Sequence, residues 1–340
     1  EEILAALPIS RAALPEVCAA DAVDGTIDDT MAGELALPQG VAVIHGAGDV
    51  GASVLASQLG GGRVACYLGT SGWVLDEAGA GRRGDPEKGI FNLPHPTMER
   101  VVRVAPLLTA AGAAEWFVSL ITGNEDSAVG GDGAAGGRDE LFGRLGSRSA
   151  EIGSPTGVVF LPHLLGERSP FKDPHASGVF LGLRKEHTRE VLFRAVLEGV
   201  ACAIRSVLEP MIDSREETGE VLLSGGGASV EGWPQILADL TGLRIRIAAD
   251  SRFAGGRGLL VLRGDRRGET APFSPRQAAA AGAVPAEAAS TGPAAGADAE
   301  ERILEPDARR RNAYEQQYRV FEKVYPQLRE LMHELTEKEV

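Results

Sequence analysis

Val41-Ala-Val-Ile44 running into His45-Gly-Ala-Gly-Asp49, and Val64-Ala-Cys-Tyr-Leu68 running into Gly69-Thr70-Ser71-Gly72, decide how this chain is read. Short apolar runs stopped by glycine suit buried strands. Glycines at their ends let the backbone approach a ligand and take conformations that other residues avoid. The first turn carries a lone carboxylate and the second a pair of hydroxyls, the parts that a phosphoryl-transfer site needs.

The 340 residues are enough for two domains, or for one large domain with insertions. A hydrophobic content of 44% with 24% charged residues is that of an ordinary globular protein. The net charge of −14 argues against a general nucleic-acid or anionic-membrane surface, while leaving room for a local phosphate site. Cys18, Cys66 and Cys202 are far apart and odd in number, so neither a disulfide framework nor a metal framework is expected. That usage fits a reducing, cytoplasmic compartment. No apolar run approaches the ~20 residues of a membrane helix, and no signal peptide is visible. The chain begins at Glu1 without methionine, inside what reads as a helix, which is the expectation for a fragment or a processed chain.

Outward from the two turns, residues 1–40 read as a lead-in segment broken at Pro8 and Pro15, and Val50–Leu59 as a helix of small apolar residues. Phe91–Val104 reads as extended chain, Leu107–Ile121 as a helix, and Gly123–Gly137 as a surface loop. Val158–Leu161 is a strand, and Pro162–Pro174 after it has the look of a functional loop. Thr188–Met211 has the strongest helical periodicity, with Val191, Ala195, Val196, Gly199, Val200, Ala203 and Val207 on one face. Val221–Leu223 is a strand feeding Ser224-Gly-Gly-Gly-Ala228, which is read as opening a helix; Trp233–Leu240 is a helix and Leu243–Ala248 a strand. Residues 267–300 are a low-complexity loop rich in Ala, Gly and Pro. A polar helix over Arg311–Lys338 closes the chain, and Pro326 is expected to kink or interrupt it. Strands and helices in this order predict an α/β layer fold.

Five motifs in order, His45-Gly-Ala-Gly-Asp49, Tyr67-Leu-Gly-Thr-Ser-Gly72, Leu161-Pro-His-Leu-Leu-Gly-Glu-Arg-Ser-Pro170, Arg194-Ala-Val-Leu-Glu-Gly199 and Ser224-Gly-Gly-Gly-Ala228, resemble the FGGY carbohydrate kinases. The resemblance runs from about Leu37 to Ala248 and returns over Asp307–Leu331. It implies an actin-like ATPase (ribonuclease H-like) domain, a mixed sheet flanked by helices, spanning residues 41–266 with the helix of 301–340 packed on it. It resembles the carboxy-terminal of the family's two domains. The amino-terminal domain, which carries another phosphate hairpin and most sugar contacts, is implied as a missing or separate partner, and a homodimer is possible.

The resemblance also implies roles. Asp49 sits at the position of the base that takes the proton of the attacking sugar hydroxyl; by residue type alone it could equally cap the helix that follows. Gly69, Thr70, Ser71 and Gly72 match a hairpin that holds ATP phosphates through backbone N–H groups and hydroxyls, against the plain alternative of a turn. Gly226, Gly227 and Ala228 match an adenosine-binding turn. Ala111 and Glu115 match positions bordering the adenine, although relatives carry glycine and commonly glutamine there. Glu167 and Arg168 form an expected ion pair bracing the cleft. ATP and Mg²⁺ are the implied cofactors, the Mg²⁺ arriving with the nucleotide rather than in a protein cage, and no protein metal site is assigned.

Three departures stand beside the match. Val50 occupies a position where xylulokinase-like relatives usually have a sugar-touching asparagine. Beyond Phe253-Ala-Gly-Gly256 the family's alanine-rich helix is replaced by Arg257–Gly268. The first domain is missing from the match. The leading reading is thus ATP-dependent phosphorylation of a sugar or polyol, with this chain supplying base and nucleotide half. The alternatives are a non-catalytic nucleotide-binding or regulatory module on the same fold, and a nucleotide-dependent dehydrogenase. The glycine turn at 225–228 speaks against the last, because it lacks the third glycine of G-x-G-x-x-G.

Overall fold

The computed structural model describes residues 4, 6, 9–57, 59, 63–78, 83–96, 100–122, 132–152, 155–212, 218–247, 256, 258–259 and 301–336. The stretch of 267–300 lies outside the described residues. Two compact units divide the chain: Glu1–Ala56 with Pro96–Glu99 and Gly255–Ala294, and Ser57–His95 with Arg100–Ala254 and Ala295–Val340.

In the smaller unit, strand β1 (Val23–Thr26) is followed by helix α1 (Asp29–Glu34) and strand β2 (Ala42–Ile44), and the unit runs on into helix α2 (Asp49–Ser57). Asp28 caps α1, its carboxylate accepting the Met31 N–H at 2.9 Å. β1 and β2 are antiparallel, with Val23 opposite Ile44 and Gly25 opposite Val43, so a bulge leaves Asp24 unpaired. Beyond β2 the backbone stays tied to the stretch before β1: His45 N–H donates to Ala22 O at 2.9 Å and Gly46 N–H to Ala20 O at 2.7 Å. Sequence reading assigned no strand to β1, because Val-Asp-Gly-Thr lacks a hydrophobic alternation and all four residues are exposed.

The larger unit is built on a seven-stranded mixed sheet. Its strands are β3 (Val64–Leu68), β4 (Gly72–Ala78), β5 (Phe91–Pro94), β6 (Val101–Leu107), β9 (Glu220–Ser224), β10 (Arg244–Ile247) and β11 (Arg302–Leu304), while β7 (Val159–Leu161) and β8 (Val179–Leu181) pair separately. The order is β11-β10-β9-β3-β4-β6-β5. β3, β9 and β10 are parallel; the remaining neighbours are antiparallel. Helices α3 (Ala111–Thr122), α4 (Asp132–Ala150), α5 (Arg189–Leu208), α6 (Trp233–Thr241) and α7 (Ala308–Thr336) cover it. The sheet centre reads as near-continuous apolar sequence because both of its faces are covered, and Val64, Cys66, Leu68, Val74 and Leu75 are all buried.

α5 is the axis of the core, buried almost throughout from Phe193 to Leu208. A Cβ on Gly199 would collide with the Phe160 backbone, so glycine is what lets α5 lie directly against β7. Its buried charges are internally satisfied. Arg194 pairs with Glu198 at 3.0 Å and donates to Ser149 O of α4 and to the Tyr314 hydroxyl of α7, each at 2.8 Å. Glu198 also accepts from Thr156 and Gln317. The Arg194–Gly199 motif is therefore a brace joining three helices. Trp233 and Tyr314 are fully buried, and Trp116 stacks on Phe160, so none of these aromatics is an open platform.

Four expectations are corrected. Helix α3 starts at Ala111 rather than Leu107, because Leu107 still pairs with Gly72 as the last residue of β6. Helix α4 begins at Asp132 and claims part of the stretch read as loop; 123–131 lie outside the described residues. β11 was not foreseen. α7 continues through Pro326 without interruption. Among the described residues no helix is long and apolar enough to cross a membrane.

Candidate functional site

β3 and β4 form a hairpin whose last pair is Leu68 opposite Gly72, leaving Gly69, Thr70 and Ser71 as its loop. Gly69 and Gly72 are buried, while Thr70 and Ser71 are exposed at the tip. The loop carbonyls are spoken for. Thr70 O accepts from Ala110 N–H at 2.9 Å and Gly112 N–H at 3.1 Å, and Gly69 O accepts from Ala111 N–H at 2.7 Å. The first turn of α3 thus anchors the hairpin. A Cβ on Gly72 would stand 2.8 Å from the Ala110 Cβ and 3.0 Å from the Tyr67 carbonyl oxygen, so the anchor needs glycine there.

Beside β3 runs β9, parallel, with Tyr67 opposite Ser224, so the turns leaving both strands emerge at the same end of the sheet. Gly225 has φ +92°, and a Cβ on it would lie 2.7 Å from the Leu68 carbonyl carbon. A Cβ on Gly227 would strike the Leu68 side chain. Both glycines are thus dictated by contact with β3. Gly226 differs: it is exposed, and a Cβ there would meet nothing within 4 Å. Ala228 is buried, its N–H donating to Gly225 O at 3.1 Å. Gly226–Ser229 is a short 3₁₀ turn rather than the opening of an α-helix, since α6 waits until Trp233, after the left-handed Gly232 (φ +79°). Ala111 is buried at the start of α3; Glu115, one turn on, is exposed.

The loop after β7 supports the hairpin from behind. Glu167 is 2% exposed; its Oε1 accepts Leu108 N–H at 3.0 Å and Arg168 N–H at 2.8 Å, and its Oε2 lies 3.1 Å from His163 Nδ1. No salt bridge joins Arg168 to Glu167 among the described residues, so the expected pair is replaced by a carboxylate that holds the β6–α3 connection. Farther along, the Asp173 carboxylate accepts from Tyr325 at 2.7 Å and lies 2.7 Å from His333 Nε2, fastening α7 to the same loop. Sequence reading missed the Leu108 partner of Glu167 and the α7 partners of Asp173, because they lie far along the chain. Burial pushes the Cys66 thiol up to about 12 and raises that of Cys202 as well, which leaves both as inert core residues.

In the smaller unit, Asp49 is exposed as the first residue of α2, and its Oδ1 accepts the Val50 N–H at 2.7 Å. Gly48 precedes it and accepts from Ala52 N–H at 2.8 Å, so Asp49 does not fill the N-cap position itself. An open cleft of about 420 Å³ lies just ahead of it, lined by Ile44, His45, Gly46, Ala47, Gly48 and Leu259.

Residues 64–264 match the model of the FGGY family of carbohydrate kinases, C-terminal domain. The chain is 31% identical over 244 residues to the xylulose kinase of Escherichia coli K12 and 30% identical over 245 residues to that of Klebsiella pneumoniae. Each match covers 72% of this chain and 47% of the relative, so the chain spans about half the length of these curated relatives. The xylulose kinase structure from Rhodospirillum rubrum superposes with a TM-score of 0.70 at 25% identity, over 98% of this chain and 61% of that one. The fold is accordingly that of the sugar kinases, a mixed sheet flanked by helices, and the chain belongs to the FGGY family of carbohydrate kinases.

Proposed function

We propose that this chain supplies the catalytic base and the nucleotide-holding half of an ATP-dependent sugar kinase acting on a xylulose-like pentulose or a related polyol. The observation that carries the reading is the clasp of two glycine turns, 69–72 and 225–228, at one end of the sheet, with exposed hydroxyls on the first and an uncontacted glycine on the second. Such a clasp offers room and donors to a phosphate chain without a large side chain intervening. Thr70 and Ser71 would hold phosphate oxygens, and the Gly226 backbone would lie against the adenosine, with Ala111 and Glu115 near its base. ATP bound as its magnesium complex supplies the transferable phosphoryl group, with the metal neutralising charge on the phosphates.

Asp49 would accept the proton of the attacking hydroxyl. Its exposed carboxylate, held by one backbone N–H at Oδ1, leaves Oδ2 for that task. Val50 in place of a sugar-touching asparagine leaves sugar selection to other contacts, including those of an amino-terminal kinase domain supplied in cis or in trans. The test mixes this chain with such a domain from a matching kinase and measures xylulose-dependent ADP release. Asp49→Asn is expected to lower turnover by about 10²–10⁴-fold with ATP affinity retained. Full turnover by Asp49→Asn, or no ATP binding by the parent chain, overturns the reading.

A further inference from the structure

We infer that Cys18, Asp24 and His45 form a binding site for a thiophilic divalent cation of the zinc class. The Cys18 Sγ, an Asp24 carboxylate oxygen and a His45 ring nitrogen all lie within 4.8 Å of one another. The His45 Nδ1 to Asp24 Oδ2 separation is 3.2 Å. With metal–ligand distances of ~2.0–2.3 Å, neighbouring donors on a tetrahedral zinc ion sit about 3.2–3.8 Å apart. The three side chains therefore need only a small closure around an ion.

What brings them together is backbone structure rather than proximity in sequence. The bulge leaves Asp24 outside the β1–β2 pairing, where its side chain is not committed to the ladder register. His45 follows β2 directly, and its N–H is held by Ala22 O. Gly46 N–H is held by Ala20 O, and Ala22 N–H by Ala19 O at 2.9 Å, which brings the Cys18 end of the segment back toward His45. Three donor types from three segments, all of the kind zinc accepts, thus face one point on the surface.

The charge arithmetic also fits. A thiolate, a carboxylate and a neutral imidazole together carry two negative charges, which a divalent ion cancels. Three protein ligands leave a fourth position open to water or to another ligand. No lysine or arginine pairs with Asp24 among the described residues; its recorded partner is His45. His45 lies four residues before Asp49, so an ion held by it would fix one end of the turn that leads to that carboxylate.

The experiment titrates untagged, metal-stripped chain with Co²⁺ and follows the thiolate-to-cobalt charge-transfer band and the ligand-field bands of tetrahedral Co²⁺, then displaces the ion with Zn²⁺. One equivalent with a thiolate band is expected. Cys18→Ser should abolish the band, and His45→Asn and Asp24→Asn should each weaken binding by more than the about 10–100-fold that loss of a mere outer partner costs. Circular dichroism of the variants checks that these surface changes leave the fold intact. Absence of a charge-transfer band, or binding unchanged in Cys18→Ser and His45→Asn, overturns the proposal. Neither outcome bears on the kinase reading, whose test measures nucleotide and sugar rather than cobalt.

Discussion

The Gly112 N–H donates to the Thr70 carbonyl at 3.1 Å, and a Cβ on Gly112 would stand 2.8 Å from that same oxygen. The hairpin tip and the first turn of α3 are therefore one rigid piece, and the glycine is there because the contact leaves no room for a methyl group. Gly112→Ala must push the two apart. It is expected to cost about 1–3 kcal/mol of stability and to weaken ATP binding. Chemical denaturation and calorimetric titration of the same sample check both effects.

Glu167 should respond differently to two substitutions. Glu167→Ala removes the acceptor of Leu108 N–H, Arg168 N–H and the His163 ring in a buried setting, leaving up to three donors without a partner. At about 1–3 kcal/mol for each orphaned group, the loss should exceed that of an average core truncation. Glu167→Gln keeps a carbonyl oxygen for the two N–H groups and offers an amide to His163, which can accept it by changing tautomer. It should retain most of the stability. Equal losses for the two variants in thermal melts would sink the bracing role assigned to Glu167.

Asp173 should carry a distinct share of the acid sensitivity, beside Glu190, whose carboxyl is also held down at about 2 by hydrogen bonds from Arg189 and Thr188. Burial alone would raise its carboxyl, but hydrogen bonds from His333, Tyr325 and the His175 N–H, with the charge of His333, hold it down at about 2 against an ordinary 3.8. Arg329 stands 3.8 Å away on the same helix and adds positive charge. A carboxyl whose folded value is depressed stabilises the fold above its unfolded value and loses that contribution as pH falls toward the folded one. The window is therefore from about pH 4 down to about pH 2, and the amount at neutral pH is about 2 kcal/mol. Asp173→Asn should reduce the acid-limb slope, leaving the share of Glu190, and increase amide exchange at the carboxy-terminal end of α7. An unchanged slope of stability against pH in that window would contradict the assignment.

Much of this architecture was readable in advance, and the misses have identifiable physics. Val64–Leu68 and Arg189–Leu208 declare themselves because burial on both sheet faces, or around nearly the whole of a helix, fills them with apolar residues. Thr188 was read correctly as the start of α5. Helix α4 escaped because Asp-Gly-Ala-Ala-Gly-Gly has the composition of a turn, and Leu141, Phe142 and Leu145, which join it to the core, come later in the helix. Of the kink or interruption expected at Pro326, the interruption does not occur, because Tyr314, Tyr318, Phe321 and Val324 before it are buried against the core and hold the helix in place. The glycines of 69–72 and 225–228 were legible as a group, but sequence could not divide those demanded by packing from the one that is not. The grouping of Cys18, Asp24 and His45 left no trace in spacing at all, since a bulge and three backbone hydrogen bonds bring it about.

The division among the glycines gives the sharpest test of the nucleotide site. Gly225 sits at φ +92° against the Leu68 backbone, and Gly227 lies against the Leu68 side chain, so alanine at either position strains the fold whether or not a ligand is ever present. Those variants should lose stability, by about 1–3 kcal/mol, and nucleotide affinity only as a consequence. Gly226 has an ordinary backbone conformation and open space where a Cβ would go. Gly226→Val should therefore melt within about 0.5 kcal/mol of the parent chain, as surface substitutions usually do. If the adenosine lies against that backbone, the same variant should bind ATP at least about tenfold more weakly, a loss of about 1.4 kcal/mol. Thermal melts with and without ATP read both quantities, because a ligand at concentration L that binds only the folded state stabilises it by RT ln(1 + L/Kd), so weaker binding gives a smaller rise of the midpoint at the same ATP concentration. A Gly226→Val chain that melts like the parent and keeps the full ATP-induced shift would remove the 225–228 turn from the nucleotide site, while leaving the hairpin at 69–72 and its anchor on α3 untouched.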